Sequence, residues 1–301
     1  MRVQRGRLGI DRGNYIAIRT PDPEAAAKFA TDHMGFTLVH VDDEKRHYLR
    51  AWGLDQYSLV YTEGEDGIDH ISYLVRGKGE LDRAHETLLA SGTEVRRKDQ
   101  PPLWRHGPAI RFDSPSGAKI ELTTGVNLEV PMGWTIMKPP SAPAPINFDH
   151  AVVRAVDVQA EMDFATDVMG LRESGRILGP DGSVFLAFFR AHTIYHCFAV
   201  AGSPYNGLHH LQFTHKHDMA IFEAEKALKA SGVEPLWGPL RHGAGENVAM
   251  YFHDYAKNIV EYSAEEEIIL NGETYVANVW PFEDHRAVNE WGASPPPETM
   301  R

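Results

Sequence analysis

The chain is written twice. "KFATDHMGF" at 28–36 matches "DFATDVMGL" at 163–171 with an offset of 135, and "LLASGTEV" at 88–95 matches "LKASGVEP" at 228–235 with an offset of 140. Two agreements in the same order mark an internal duplication. The 301 residues therefore fold as one kind of unit made twice. Between the copies, "VNLEVPMGWTIMKPPSAPAPIN" (126–147) carries five prolines and reads as a linker.

Each copy predicts the same elements. A short apolar strand opens it ("NYIAIRT", "FDHAVVRA"), and an amphipathic helix follows, entered at "PDPE" or "VDVQ" and left at Met-Gly. Alternating strands with polar turns such as "GPDGS" come next. A second half then begins at "IDHISYLV" or "LHHLQFTH" and ends at "AKIELTT" or "NIVEYSA". Each copy is thus two βαβββ modules, which predicts an α+β protein with two open, curved sheets. Helices would cover one face of each sheet and leave the other free to enclose a site.

Composition sets bounds on the function. Apolar content of 43% and charged content of 24% are those of a soluble globular chain. A net charge of -12 argues against nucleic acid or an anionic membrane as partner. Cys197 is the sole cysteine, so an intramolecular disulfide and a thiolate metal cluster are both excluded. The start "MRVQRGRLGI" lacks the apolar run of a signal peptide, and no stretch of about 18 apolar residues occurs. A cytoplasmic protein is expected. Histidine is abundant at 16 residues, and it is the side chain most often recruited for metals and proton transfer.

Strand alternation sorts the doublet in "GLHHLQF" (207–213). Leu211 and Phe213 share the face of His209, so His210 should look into the cavity while His209 packs or bonds away from the metal. Aligning the copies sets His150 against Tyr15, His210 against His70 and Glu261 against Glu121. The second copy offers two imidazoles and a carboxylate from three strands, the donor set of non-haem Fe(II) oxygenases. The first has Tyr15 in place of an imidazole. No metal is expected there, and His70 and Glu121 read as relics. His106 in "LWRHGP" echoes His242 and is expected to have a surface or interface role. The acidic run "SAEEE" (263–267) reads as a solvated turn, and Cys197 as a small hydrophobe on the far strand face.

From about Gly13 to Trp291 the chain resembles the type I extradiol catechol dioxygenases of the vicinal oxygen chelate superfamily, with catechol 2,3-dioxygenases and homoprotocatechuate 2,3-dioxygenases as patterns. Its most specific stretch, "RHGAGENVAMYFHDYAKNIVE" (241–261), is similar to the family signature of His, Tyr, an Asp-Pro-x-Gly turn and a final Glu ligand. Tyr255 stands for the Pro and Lys257 for the Gly. The resemblance implies the glyoxalase-like fold, and His150, His210 and Glu261 as ligands of Fe(II), with Mn(II) in some members. It also implies His196, His242 and Tyr251 as the catalytic residues, His196 handling protons and the other two bonding substrate oxygens. The partners implied are a catechol and O2, and a homo-oligomer is expected.

The expected organisation is a non-catalytic module pair (1–130), a Pro-rich linker (131–145), a catalytic pair with the metal site (146–265), and a tail able to act as a lid (266–301). The paired arginines that bind a substrate carboxylate in homoprotocatechuate enzymes align with Ala287 and Val288, Arg286 being out of register, and their pocket asparagine aligns with Val152. An alkyl- or aryl-substituted catechol is therefore expected, opened to a 2-hydroxymuconic semialdehyde-type product. The competing readings are a non-oxidative metal-dependent lyase or isomerase of the same superfamily and a non-catalytic aromatic-binding protein.

Overall fold

The computed structural model describes residues 8–53, 55–99, 103–125, 143–292 and 295–296, so only 143–145 of the expected linker falls within it. The first copy runs β1 (Ile10–Thr20), α1 (Pro23–Asp32), β2 (Thr37–Val41), β3 (His47–Arg50), β4 (Leu59–Glu63), β5 (Gly67–Val75), α2 (Lys78–Ala90), β6 (Val95–Lys98), β7 (Ala109–Asp113) and β8 (Lys119–Thr123). The second runs β9 (Asn147–Ala155), α3 (Val158–Asp163), β10 (Arg172–Leu178), β11 (Val184–Arg190), β12 (Phe198–Gly202), β13 (Gly207–Thr214), α4 (Asp218–Ala230), β14 (Trp237–Arg241), β15 (Val248–His253) and β16 (Ile259–Ala264). A further strand, β17 (Asn278–Trp280), comes from the tail.

Two mixed sheets result, ordered β2-β3-β4-β1-β5-β8-β7-β6 and β14-β15-β16-β13-β9-β12-β11-β10-β17. In each, the first strands of the two modules pair antiparallel at the centre, and each is flanked by the last strand of its own module running parallel. This is the tandem βαβββ architecture predicted from the repeat.

The helix entries follow the capping chemistry. Asp22 Oδ1 accepts the Ala25 amide (2.9 Å) before Pro23, and Asp157 Oδ1 accepts that of Ala160 (3.0 Å). The exits differ despite the shared "FATD". In the first copy Met34 N bonds Ala30 O (3.2 Å), whereas in the second Met169 N reaches back to Phe164 O (2.9 Å), widening Phe164–Val168 into a π-helical turn. The signature turn survives its substitutions. Lys257 takes φ 65°, the left-handed conformation that Gly117 adopts (φ 81°) in the first copy, and Asp254 Oδ1 accepts the Asn258 amide (2.8 Å).

The copies share one core. Phe36 of the first packs edge-on to Phe213 of the second with centroids 4.9 Å apart, and the apolar cluster runs through both halves. Buried tyrosines cross between them: Tyr262 donates to Met34 O (2.6 Å) and Tyr73 to Cys197 O (3.0 Å). A β-carbon at Gly13 would fall 2.2 Å from Asp149 O, so the approach of β1 to β9 requires glycine. Cys197 joins this core as expected.

His215 is buried beside Tyr262, and among the described residues neither of its ring nitrogens has a hydrogen-bond partner. Burial, aided by His217, pushes its pKa down to about 3. Between pH 6.5 and 3 the unfolded chain therefore binds a proton that the native chain refuses, and stability falls as pH drops through that window. At pH 5 the penalty is about 2 kcal/mol. Urea unfolding at pH 7.5 and pH 5 should show the wild type losing about that much more than His215→Phe.

Candidate metal centre

Sheet order brings the predicted ligands together. His150 on β9, His210 on β13 and Glu261 on β16 lie on three neighbouring strands, and Gln212 of β13 is in register with Glu261. Their donor atoms lie within 4.8 Å of one another and all three residues are buried. His210 Nε2 is 3.0 Å and His150 Nε2 3.8 Å from Glu261 Oε2. The remaining atoms are held from behind, as metal ligands usually are. Asn247 Nδ2 donates to Glu261 Oε1 (3.1 Å), and Asp149 Oδ2 lies 3.2 Å from His150 Nδ1.

His210 is held in a way that alternation did not predict. The register between β13 and β9 slips between Leu208 and His210, leaving His209 as an extra residue. The bulge turns His209 back, and its Nδ1 hydrogen-bonds His210 Nδ1 (2.7 Å) rather than facing away. One ring must donate and the other accept.

The catalytic candidates surround the triad. Tyr251 on β15 is in register with Glu261. Its hydroxyl is 2.8 Å from His242 Nε2, and His242 Nδ1 is 2.7 Å from Val288 O. A carbonyl only accepts, so Nδ1 carries hydrogen and, in the neutral ring, Nε2 accepts the Tyr251 proton. Burial lowers the His242 pKa, opposed by Glu261. His196, between β11 and β12, sits with Nε2 3.1 Å from His150 Nε2.

The tail reaches the same place. β17 pairs with β10 at one edge of the sheet, and the chain then returns to the other edge. There Gly243 N and Ala244 N bond Arg286 O and Ala287 O (3.0 Å each), and Glu290 N bonds Arg241 O (2.8 Å). The cavity that His210 and Glu261 open onto is walled by Val152, Ile177, Leu186, Phe188, Ala244, Ala287 and Val288, with His196, His242, Asn247 and Tyr251 as its other polar residues.

Electrostatics suit a divalent cation. Burial alone would raise the Glu261 carboxyl, but the hydrogen bond from His210 and the fields of His150 and His242 hold it well below the usual range. Burial, reinforced by His196, drives His150 strongly toward its neutral form. An ionised carboxylate and a neutral imidazole are the protonation states a metal needs. Among the described residues the ion-pair partners of Glu261 are histidines only. No permanent positive charge offsets it, and a bound metal would supply one.

The first copy meets the same requirement internally. Tyr15, His70 and Glu121 occupy adjacent β1, β5 and β8, and the Tyr15 hydroxyl donates to Glu121 Oε1 (2.6 Å) while lying 2.8 Å from His70 Nε2. Arg111, in register with Glu121 as Tyr251 is with Glu261, donates Nε to Glu121 Oε2 (2.7 Å). His106 is a correction: 1% exposed, it lies 3.0 Å from Glu121 Oε1 and has no surface role. "SAEEE" is another, since Glu265 is exposed but the Glu266 side chain is only 10% exposed and meets His196. Arg111 was missed by sequence reasoning, although the offset of 140 places it opposite Tyr251.

The family model described as the Glyoxalase/Bleomycin resistance protein/Dioxygenase superfamily matches residues 12–122 and 147–262. The chain belongs to this superfamily. Its relatives include a metapyrocatechase of Pseudomonas sp. (strain CF600), 25% identical over 291 residues, covering 94% of this chain and 91% of the relative. Another is a manganese-dependent 2,3-dihydroxybiphenyl 1,2-dioxygenase of Geobacillus genomosp. 3, 27% identical over 259 residues, covering 81% and 82%. Among solved structures, homoprotocatechuate 2,3-dioxygenase from Arthrobacter globiformis superposes with a TM-score of 0.88 at 21% identity, covering 98% of this chain and 91% of that one. The fold is that of the extradiol dioxygenases.

Purified chain loaded anaerobically with Fe(II) or Mn(II) should hold one metal per chain by elemental analysis. His210→Ala or Glu261→Gln should lose it. Tyr15→Phe should keep it, while costing about 2 kcal/mol in unfolding because His70 and Glu121 lose a buried partner.

Proposed function

We propose that the chain is an extradiol ring-cleaving dioxygenase that inserts both atoms of O2 into an alkyl- or aryl-substituted catechol, giving a 2-hydroxymuconic semialdehyde-type product. The observation that carries this reading is a buried His-His-Glu set at a largely apolar cavity whose other polar lining residues are His196, His242, Asn247 and Tyr251. The fold family and the names of the relatives support it.

His150, His210 and Glu261 would hold the divalent metal, which we read as Fe(II), with Mn(II) as the alternative. Bound there, it supplies Lewis acidity and a centre at which both the diol and O2 can be held. The three residues would hold the metal from the protein, with the cavity beside His210 and Glu261 left for substrate. Tyr251 and His242 form a pair between which a proton moves at the substrate oxygens, with Val288 O keeping the imidazole in one tautomer. His196 Nε2 lies 3.1 Å from His150 Nε2 and lines the same cavity, where it can give or take a proton.

The cavity wall favours an uncharged ring substituent. Val152, Ile177, Leu186 and Phe188 offer no donor, and the Arg286 side chain, 72% exposed, pairs with Asp284 at 2.7 Å. A buried carboxylate would lack a counter-charge and cost several kcal/mol.

We assign catalysis to 146–265, a structural role to 1–130, and a covering role to the tail 266–301, whose Ala287 and Val288 reach the cavity. Self-association is supported by edge strand β17 with Val276 and Val279 exposed beside it (80% and 58%). Light scattering should report an oligomer that Val279→Asp weakens; a wild-type monomer at micromolar concentration would refute this part.

Oxygen uptake and the yellow ring-opened product should appear with methyl- or phenyl-substituted catechols, at a kcat/KM at least about a hundredfold above that for a carboxylate-bearing catechol. His196→Phe should retain metal and lose most turnover. Metal binding without O2 uptake across a catechol panel would overturn the reading.

A further inference from the structure

Glu266 opens the tail and stands outside the ligand set. Tyr195 N bonds Glu267 O (3.1 Å) and Ile269 N bonds Thr193 O (2.7 Å), with Ile194 and Ile268 bridged between them. These backbone bonds lay 267–269 along 193–195 and turn the Glu266 side chain inward. Its Oε1 accepts the His196 amide (2.7 Å) and lies 2.6 Å from His196 Nδ1. The ring is rotated off the ideal line, so His196 Nδ1 makes no hydrogen bond as it stands, and a small rotation of the side chain would bring its N–H onto Oε1. On its other side Glu266 hydrogen-bonds Asp149, which backs His150. A carboxyl oxygen without hydrogen can only accept, so Glu266 Oε1 is the acceptor toward the His196 backbone amide and faces its ring nitrogen as an acceptor too.

We propose that Glu266 is the positioning residue for His196: by accepting both its backbone N–H and its Nδ1–H, it fixes the ring tautomer and aims the Nε2 lone pair at the metal side of the cavity. This rests on the dioxygenase reading of the site. Glu266 is not among the residues lining the cavity, so its effect on the substrate side would pass through His196. The arrangement follows the general rule that an acid–base imidazole is oriented by an acceptor behind it.

The chemistry sets an unusual expectation for the conservative variant. In Glu266→Gln the isosteric amide keeps a C=O that can accept from His196, and its NH2 can donate to Asp149. Leucine fills the same space and accepts nothing.

The test compares E266Q and E266L in the wild type and in a His196→Gln background, with an alkyl-substituted catechol as probe. E266L should keep its metal content and KM and lose at least about tenfold in kcat, whereas E266Q should stay within about threefold of the wild type. In the His196→Gln background E266L should cost nothing further. Equal losses in both backgrounds, or full activity of E266L, would overturn the proposal. A readout independent of turnover is the tautomer of His196. Long-range 1H–15N spectra of the Zn(II)-loaded full-length chain should show Nδ1–H in the wild type and E266Q, and a mixture in E266L. An unchanged tautomer in E266L would overturn the proposal too. If E266L does not fold, Glu266→Met takes its place. A wild type inactive on every catechol would sink the dioxygenase reading, while the tautomer result still decides the role of Glu266.

Discussion

A carboxylate with almost no exposure to solvent needs positive charge or hydrogen-bond donors in place of water, and the two copies answer that demand differently on equivalent strands. Glu121 and Glu261, 0% and 2% exposed, occupy equivalent strands of the two sheets. Desolvating either anion costs several kcal/mol unless its partners return that energy. In the first copy the Arg111 guanidinium returns it, with the Tyr15 hydroxyl seated between Glu121 and His70. In the second, Tyr251 stands where Arg111 would, and its phenol, pushed well up by burial and Glu261, carries no charge. The unmet charge suits the second copy to a metal, as proposed above, whereas the first is satisfied internally.

The rest of the molecule supports that difference. The two apolar faces close on each other in one core, tied by Tyr262 and Tyr73, so each sheet has a single face left for polar groups. The tail then crosses the open face of the second sheet from β17 to the loop after β14. It brings the Val288 carbonyl to His242, the Ala287 and Val288 side chains to the cavity, and Glu266 to His196. A segment beyond the repeat thus sets the orientation of two histidines within it.

Much of the site was legible because the repeat aligns it. Offsets of 135 and 140 pair Tyr15 with His150, His70 with His210 and Glu121 with Glu261, and period-two alternation picks His210 from its doublet. What stayed hidden involves departures from ideal geometry or contacts between distant segments. The bulge that turns His209 onto His210 breaks the alternation used to exclude it. The π-helical turn at Phe164–Val168 carries the same "FATD" that remains α-helical in the first copy, so packing and not propensity decides it. His106 is buried because Glu121 and Tyr15 draw it inward, which no local pattern signals.

By itself the sequence determined the duplication, the βαβββ order, the capped helix entries and the three residues offered as ligands, since each rests on spacing or local chemistry along the chain. Only the tertiary structure decided which of the equivalent carboxylates Glu121 and Glu261 meets an arginine, that Glu266 of an acidic run turns inward, and that the tail's backbone holds His242. Those outcomes depend on what packs against each group from elsewhere, and burial sets the sign and size of every charge interaction at the site.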